Sequence, residues 1–461
     1  MQRSADMLLE DALAIWQAGV DAVLPDRLIR EYVHVDPLSA TGGSALWIDD
    51  LEIPLAGVDR IAVVGAGKAG AGMVVALEQV LGETLLHEKG VHGWVNVPAD
   101  CLRETSSIRL HAARPAGVNE PTVAGVMGTQ QMLKLVRDLG PDDLCIVLLS
   151  GGGSALMPAP VDGISLQDKV TITRQLAAAG ATIEQLNAVR RELSQVKGGG
   201  LAAACQAGQM VTLVLSDVPG DHLETIASGP TVDCEPNPQH AVEVLEKLKL
   251  TNSSATQTIL QVLRQQIQNP SQRTAMAATA SHRILGNNAT AVDAAGIEAE
   301  RRGYRHAMTC ASETEGPAEE VATKLVHMAR IMRQQTACTA EPNCLISGGE
   351  PTVHLVDQQQ RGIGGRNQQL VLAGLTQLDD WRDLVLLSGG TDGEDGPTNA
   401  AGAWVNQTLA ERAQASNMDP QDYLRRNDAY SFFQPLEGLL KTGPTHTNVC
   451  DLRVITVSVP S

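Results

Sequence analysis

In the stretch Gly65-Ala-Gly67-Lys68-Ala-Gly70 an ammonium stands at the turn between the apolar run Ile61 to Val64 and a helical pattern. Glycine lets backbone N–H groups come close to a ligand, and the positive end of the next helix favours an anion. The spacing matches G-x-G-x-x-G, with Glu88 at the distance of a ribose-binding acid, so a dinucleotide turn is one reading. Lys68 argues for another, a point charge beside the β- and γ-phosphates of a nucleotide. It is not a Walker A loop, because the G-K-[ST] ending is absent. A tight turn with a solvated lysine is the third reading.

The device recurs along the chain. The apolar run 145–149 ends in Ser150-Gly151-Gly152-Gly153-Ser154, 345–346 in Ser347-Gly-Gly-Glu350, and 384–387 in Ser388-Gly-Gly-Thr-Asp392. Short apolar runs bounded by glycine read as buried strands, and open α/β sheets bind ligands beyond the carboxyl ends of such strands. One glycine turn is only a turn, but the repetition with Lys, Ser and Asp points to handling of phosphate. The run 211–215 ends in Ser216-Asp217-Val-Pro-Gly-Asp221, two carboxylates four residues apart. They suit Mg²⁺, or one of them could take a hydroxyl proton; an Asx turn is the bland alternative. Asn187-Ala-Val-Arg190 leads to Lys197-Gly-Gly-Gly200, where a helix C-cap explains one glycine but not three. Gly364-Gly365-Arg366 brings a guanidinium fork to a helix start, suited to carboxylate or phosphate, with a surface ion pair as the alternative. Thr442-Gly-Pro-Thr445-His446-Thr447-Asn448 is a further polar loop, in which His446 reads as an ordinary loop residue.

These groups need elements to hold them. At 461 residues two domains are expected, 1–250 and 251–461, with the composition shifting to Gln, Ser, Thr and Asn after Leu250. Aromatic residues make up only 2%, so Leu, Val, Ile and Ala must form the core. Periodicity predicts helices over 5–24, 69–81 and 121–139, and a mostly helical 168–207 broken at Lys197-Gly-Gly-Gly200. Strands are predicted at 61–64, 91–97, 145–149 and 211–215, an alternation that implies a parallel sheet. Beyond Met276 further strands are predicted at 282–285, 306–310, 344–346, 353–356, 384–387 and 453–457, with polar surface chain over 334–343. The net charge of -18 argues against nucleic-acid or anionic-membrane partners. Eight scattered cysteines without a Cys-x-x-Cys pair suit reduced thiols rather than a zinc or disulfide framework. With no signal peptide and no long apolar span in sight, a cytoplasmic enzyme is expected.

Taken in order, Gly67-Lys68-Ala-Gly, Leu149-Ser-Gly-Gly-Gly-Ser-Ala-Leu, Asn187-x-x-Arg-x-x-Leu-Ser-x-x-Lys-Gly-Gly, Ser216-Asp-Val-x-Gly-Asp and Ala227-Ser-Gly-Pro-Thr resemble the glycerate 2-kinase family. So do Ser347-Gly-Gly-Glu-Pro-Thr-Val, Gly364-Gly-Arg-Asn-Gln, Ser388-Gly-Gly-Thr-Asp-Gly-x-Asp-Gly-Pro-Thr and Thr442-Gly-x-Thr-x-Thr-Asn-Val, with the animal members closest. The resemblance implies an α/β fold, with an N-terminal Rossmann-like parallel-sheet domain, a smaller C-terminal α/β domain, and the active site in the cleft between them. It implies ATP-dependent phosphorylation of D-glycerate, typically at the 2-hydroxyl, with a divalent cation.

Lys68 and Arg366 correspond to the family's key lysine and arginine, and His446 stands where many relatives carry glycine. On this reading Ser150, Gly151, Gly152, Gly153 and Ser154, with Gly67 and Lys197, cradle ATP phosphates. Lys68 and Arg366 neutralise the transferring phosphoryl and hold the glycerate carboxylate, and Asp217 and Asp392 bind Mg²⁺ or orient the hydroxyl. Asp221 is a second metal candidate. The alternatives are an NAD(P)H-dependent hydroxypyruvate reductase and a non-catalytic sugar-acid-binding protein. A homodimer is expected from the base rate of soluble assemblies.

Overall fold

The computed structural model describes residues 3–39, 43–118, 120–251, 253–269, 279–334 and 341–458. The chain forms two compact units, one of residues 28–216 and 221–285, the other of 1–27, 217–220 and 286–461.

Among the described residues the first unit is built on a six-stranded sheet. Its spatial order is Ile108–Arg114, His92–Pro98, Ile61–Ala66, Leu144–Leu149, Gln209–Leu215, Thr279–Gly286. Counted along the chain within this sheet, the order is 3-2-1-4-5-6, that of the Rossmann fold, and the first five strands pair in parallel. The strands Ile61–Ala66 and Leu144–Leu149 are buried at every position, as their unbroken apolar runs require. Strand order reverses between these two, so the loops that follow them flank the crevice where such folds bind ligands.

Beside the sheet, Leu166–Ala178, Ile183–Glu192, Pro238–Lys247 and Ser254–Gln268 pack around Ile172, Leu176, Val189, Leu193, Leu245 and Leu263. The helical stretch expected over 168–207 is thus several helices. Gly180, at φ 76°, follows the first, and a capping box of Thr182 with Gln185 starts the second. Residues 270–278 and much of the connection expected over 334–343 lie outside the described residues.

The second unit has a mixed sheet in the order His306–Thr309, Cys344–Gly349, Asp451–Val457, Leu384–Gly390, Gly402–Val405, Leu439–Leu440. The first pair is parallel and the others are antiparallel. One core, with Leu325, Leu370, Trp381 and Phe432, joins the helices Ala318–Arg333 and Arg366–Leu375 to the sheet. The other, with Leu8, Ile15, Trp16, Val292 and Val454, joins Ala5–Ala22 and Asn288–Arg301 to it. A division of the chain at 250 puts Ala5–Ala22 with the first domain, whereas its apolar face packs in the second unit.

The strand expected at 353–356 does not form. The N–H of Val356 is taken by the Asn427 side chain at 2.9 Å and Leu355 is exposed, so neither ladder nor core holds the segment. A three-stranded antiparallel sheet of Val33–Asp36, Ala45–Ile48 and Leu51–Pro54, and the strand Ile108–Arg114, are additions to the expected elements.

Candidate active site

In the first unit the two loops at the switch point interlock. Lys68 N–H donates to Gly151 O at 2.9 Å, Ala69 N–H to Ser150 Oγ at 3.0 Å, and Ser150 N–H to Ala66 O at 3.2 Å. A Cβ on Gly67, at φ 154°, would stand 2.0 Å from Ser150 Oγ, so only glycine permits this approach. Ser150 therefore clamps the loops together. Gly152, in the left-handed region at φ 79°, caps the short helix Gly153–Leu156. A Cβ there would lie 3.4 Å from Arg114 Nη2 and 3.7 Å from Lys68 Cγ, so both cations border the glycine loop. Arg114 is 5% exposed and was hidden from sequence reasoning because its strand was.

Ser154 is the meeting point of a second set of groups. Its hydroxyl accepts from Lys197 Nζ at 2.5 Å and from Arg190 Nη2 at 2.6 Å, and lies 3.0 Å from the Ser228 hydroxyl. Ser228 donates to Asn187 Oδ1 at 3.1 Å. The three glycines after Lys197 are explained by close backbone packing. Gly198 and Gly199 donate to Ser228 O and Gly229 O at 2.9 and 2.7 Å, and a Cβ on Gly199 would meet Val232 O at 2.7 Å. They fold the chain back so that Lys197 points at Ser154. Burial, and then the charge of Arg190, push the Lys197 ammonium well below its usual range; burial lowers Arg190 to about 10. No carboxylate pairs with either among the described residues. The Asn187-to-Lys197 motif and Ala227-Ser228 signalled this network in the sequence.

The second unit gathers carboxylates around one arginine. Arg366, the first residue of its helix, grips Asp451 with Nε and Nη2 at 2.7 and 2.9 Å and gives Nη1 to Glu350 at 2.7 Å. Asp451 is fully buried; Glu350 is partly exposed, and burial chiefly, with Asp451 and Asp392 nearby, raises its pKa against the pull of Arg366. Asp395 accepts the N–H groups of Asn367 and Gln368 at 3.0 and 2.8 Å, and burial raises it to about 7. Gly365 is required beside it, since a Cβ would meet Asp395 Oδ1 at 2.3 Å. Asp392 accepts from Glu394 N–H at 3.0 Å, and its backbone O accepts from Thr445 N–H at 3.1 Å. Asp217 accepts from Asn448 Nδ2 at 3.1 Å. Asp221, at φ 55°, falls in the first unit while Asp217 falls in the second. Among the described residues no three His, Cys, Asp or Glu side chains gather as a metal-binding group. His446 has φ 62°, a conformation that favours glycine. Among the described residues no helix is long and apolar enough to cross a membrane.

Residues 11–264 match the family described as Domain of unknown function (DUF4147), and residues 343–451 match the MOFRL family. The chain is 36% identical to the glycerate kinase of Homo sapiens, in an alignment covering 98% of this chain and 94% of the human one. It is 34% identical to the D-glycerate 2-kinase of Thermotoga maritima, with 96% of each chain covered. The crystal structure of the glycerate kinase from Thermotoga maritima matches the fold with a TM-score of 0.76 at 32% identity, covering 97% of this chain and 99% of that one. Sequence and fold agree from end to end, and the chain belongs to the glycerate kinase family.

Proposed function

We propose that this protein transfers the γ-phosphoryl group of ATP to the 2-hydroxyl of D-glycerate. The observation that carries the reading is the pair of interlocked loops at the switch point, with Lys68 and the Lys197–Ser154 contact, where a dinucleotide fold would offer a plain glycine turn. Phosphoryl transfer asks mainly for positioning and charge neutralisation, and these loops suit both. Ser154, Lys197 and the backbone of Gly67 and Gly151 to Gly153 bind the nucleotide phosphates, while Ser150 holds the loops in place.

In the transfer, the glycerate oxygen bonds to the γ-phosphorus as the bond to the bridging oxygen of ADP breaks. The hydroxyl proton passes to Asp217 or Asp392, and Lys68 neutralises the moving charge. Arg366 binds the glycerate carboxylate. Asp451, fully buried, keeps the guanidinium oriented, and the partly exposed Glu350 is the partner an incoming carboxylate displaces. Mg²⁺ commonly takes one or two carboxylates plus phosphate oxygens and water, and Asp217 and Asp221 are its candidate ligands. When bound it supplies further neutralisation of phosphate charge.

The test is incubation with D-glycerate and MgATP, followed by ³¹P NMR, beside a parallel reaction of NADH with hydroxypyruvate. A phosphomonoester coupled to the C2 proton supports the proposal, and coupling to the C3 protons moves transfer to the other hydroxyl. NADH consumption without a phosphoester overturns it in favour of a reductase.

A further inference from the structure

Lys169 lies outside the hydrogen bonds that Arg190 and Lys197 make to Ser154. It sits on the helix Leu166–Ala178, is 7% exposed, and its Nζ, shielded from solvent, makes no hydrogen bond among the described residues. The charges around it are of its own sign. Arg190 acts on Lys169, and Arg190 and Lys169 both act on Lys197. No carboxylate pairs with any of the three among the described residues. Without a counter-charge, burial makes these two lysines give up their protons readily, and an anion placed among them and Arg190 would hold them charged. Arg190 and Ser154 retain part of their surface in solvent, so a ligand can reach the group.

We propose that Lys169, Arg190 and Lys197 form a phosphate site that takes a phosphate group of the nucleotide, with Ser154 and Ser228 as hydroxyl partners. Charge decides between phosphate and carboxylate. A glycerate carboxylate brings one negative charge to three cationic side chains, whereas the terminal phosphates of a nucleotide bring several. The donor set fits as well, since ammoniums act as point charges on phosphate and the guanidinium as a planar fork. Burial, and then Arg190, lower Lys169 to about 7 in the free protein, and a bound phosphate draws the proton back. The assignment to a nucleotide phosphate rests on the kinase reading above.

The experiment is calorimetric titration of the full chain with tripolyphosphate and, separately, with D-glycerate, for the wild type, Lys169→Met and Lys169→Arg. Thermal melts without ligand accompany it. Lys169→Met is expected to melt higher than the wild type and to bind tripolyphosphate about 30-fold more weakly, the low end for truncating a buried charged partner. Its glycerate affinity is expected to be unchanged, and Lys169→Arg is expected to recover most of the tripolyphosphate affinity. A Lys169→Met chain that melts lower or does not fold would mark a structural lysine and overturn the proposal. So would unchanged tripolyphosphate affinity, or a loss confined to glycerate. A wild type that binds tripolyphosphate in this way yet forms no phosphoglycerate would sink the kinase reading and leave the phosphate site standing.

Discussion

The two units solve opposite electrostatic problems. In the first, Lys169, Arg190 and Lys197 share a buried neighbourhood with hydroxyls and no paired carboxylate among the described residues. In the second, Arg366 is surrounded by Asp451, Glu350 and Asp395, with Asp392 acting on Glu350. The cationic group is poised for an anion from outside and is unstable without one. The arginine group carries its own anions and is complete as folded. A site that waits for a charge trades stability for binding, whereas one that holds its charge in reserve must exchange a partner to bind.

Replacing the arginine gives the largest contrast. Arg366→Ala leaves the fully buried Asp451 without its cation, and loss of one partner of a buried pair costs about 3 kcal/mol. With the clamp on the glycerate carboxylate gone, kcat/KM for glycerate is expected to fall on the order of 10²–10³, mainly through a higher KM. Lys197→Met and Lys68→Ala are expected to lower kcat by roughly the same factor of 10² or more. Lys197→Met should cost less stability than Arg366→Ala, because burial already disfavours the Lys197 charge and the loss is chiefly that of its hydrogen bonds with Ser154 Oγ and O at 2.5 and 3.0 Å. Denaturant unfolding beside steady-state kinetics checks the set. Equal destabilisation by Arg366→Ala and Lys197→Met would erase the distinction between the units.

Much of the first unit is legible in the sequence because its signals are local. The runs 61–64 and 145–149 are short, apolar and closed by glycine, and they become strands one and four of the Rossmann order. The motif at Lys197 is visible as spacing, but its partner Lys169 is not. A lysine on an amphipathic helix reads as solvated, whereas Lys169 is buried on a helix whose Ile172 and Leu176 join Leu245 and Leu263 in one core. Arg366 could be picked out beside its glycines, yet Asp451, 85 residues away, lies in a strand whose apolar pattern gives no hint of a bidentate partner. Likewise the periodicity of Leu8, Ile15 and Trp16 gives the helix Ala5–Ala22 but not its place against Val292 and Val454. Local patterns specify elements, whereas ion pairs and domain membership depend on contacts distant in sequence.

The contrast extends to pH, with smaller effects. Lys169 titrates at about 7 when folded, against ~10.4 unfolded, so between these values the unfolded chain binds more protons and stability rises with pH. Asp395, also at about 7, is raised from ~3.9, so the folded chain binds more protons between pH ~4 and 7 and stability falls as pH rises. Each limb has a slope on the order of 1 kcal/mol per pH unit. Denaturant unfolding from pH 5 to 9 is therefore expected to show a dip near neutrality. Lys169→Met makes the alkaline limb shallower, leaving the contribution of the lowered Lys197, and Asp395→Asn makes the acid limb shallower, leaving that of the raised Glu350. A single broad maximum near pH 7 would contradict both titrations.

The smallest effect concerns His446, whose backbone is held in the left-handed region at φ 62°. On either side the chain is tied down, Thr445 Oγ1 donating to Thr391 O at 2.5 Å and Thr447 Oγ1 to Val23 O at 2.6 Å, so the conformation cannot simply relax. Any L-residue there carries a strain of about 1–2 kcal/mol, and glycine avoids it at a chain-entropy cost of about 0.5–1 kcal/mol. His446→Gly is thus expected to be more stable than His446→Ala by up to about 1 kcal/mol, since alanine keeps the strain and drops the imidazole. Comparing both variants with the wild type separates backbone from side chain. If glycine proves no better than alanine, the loop bends elsewhere and strain is not what distinguishes this position. If histidine exceeds glycine, the imidazole makes a contact worth more than the strain.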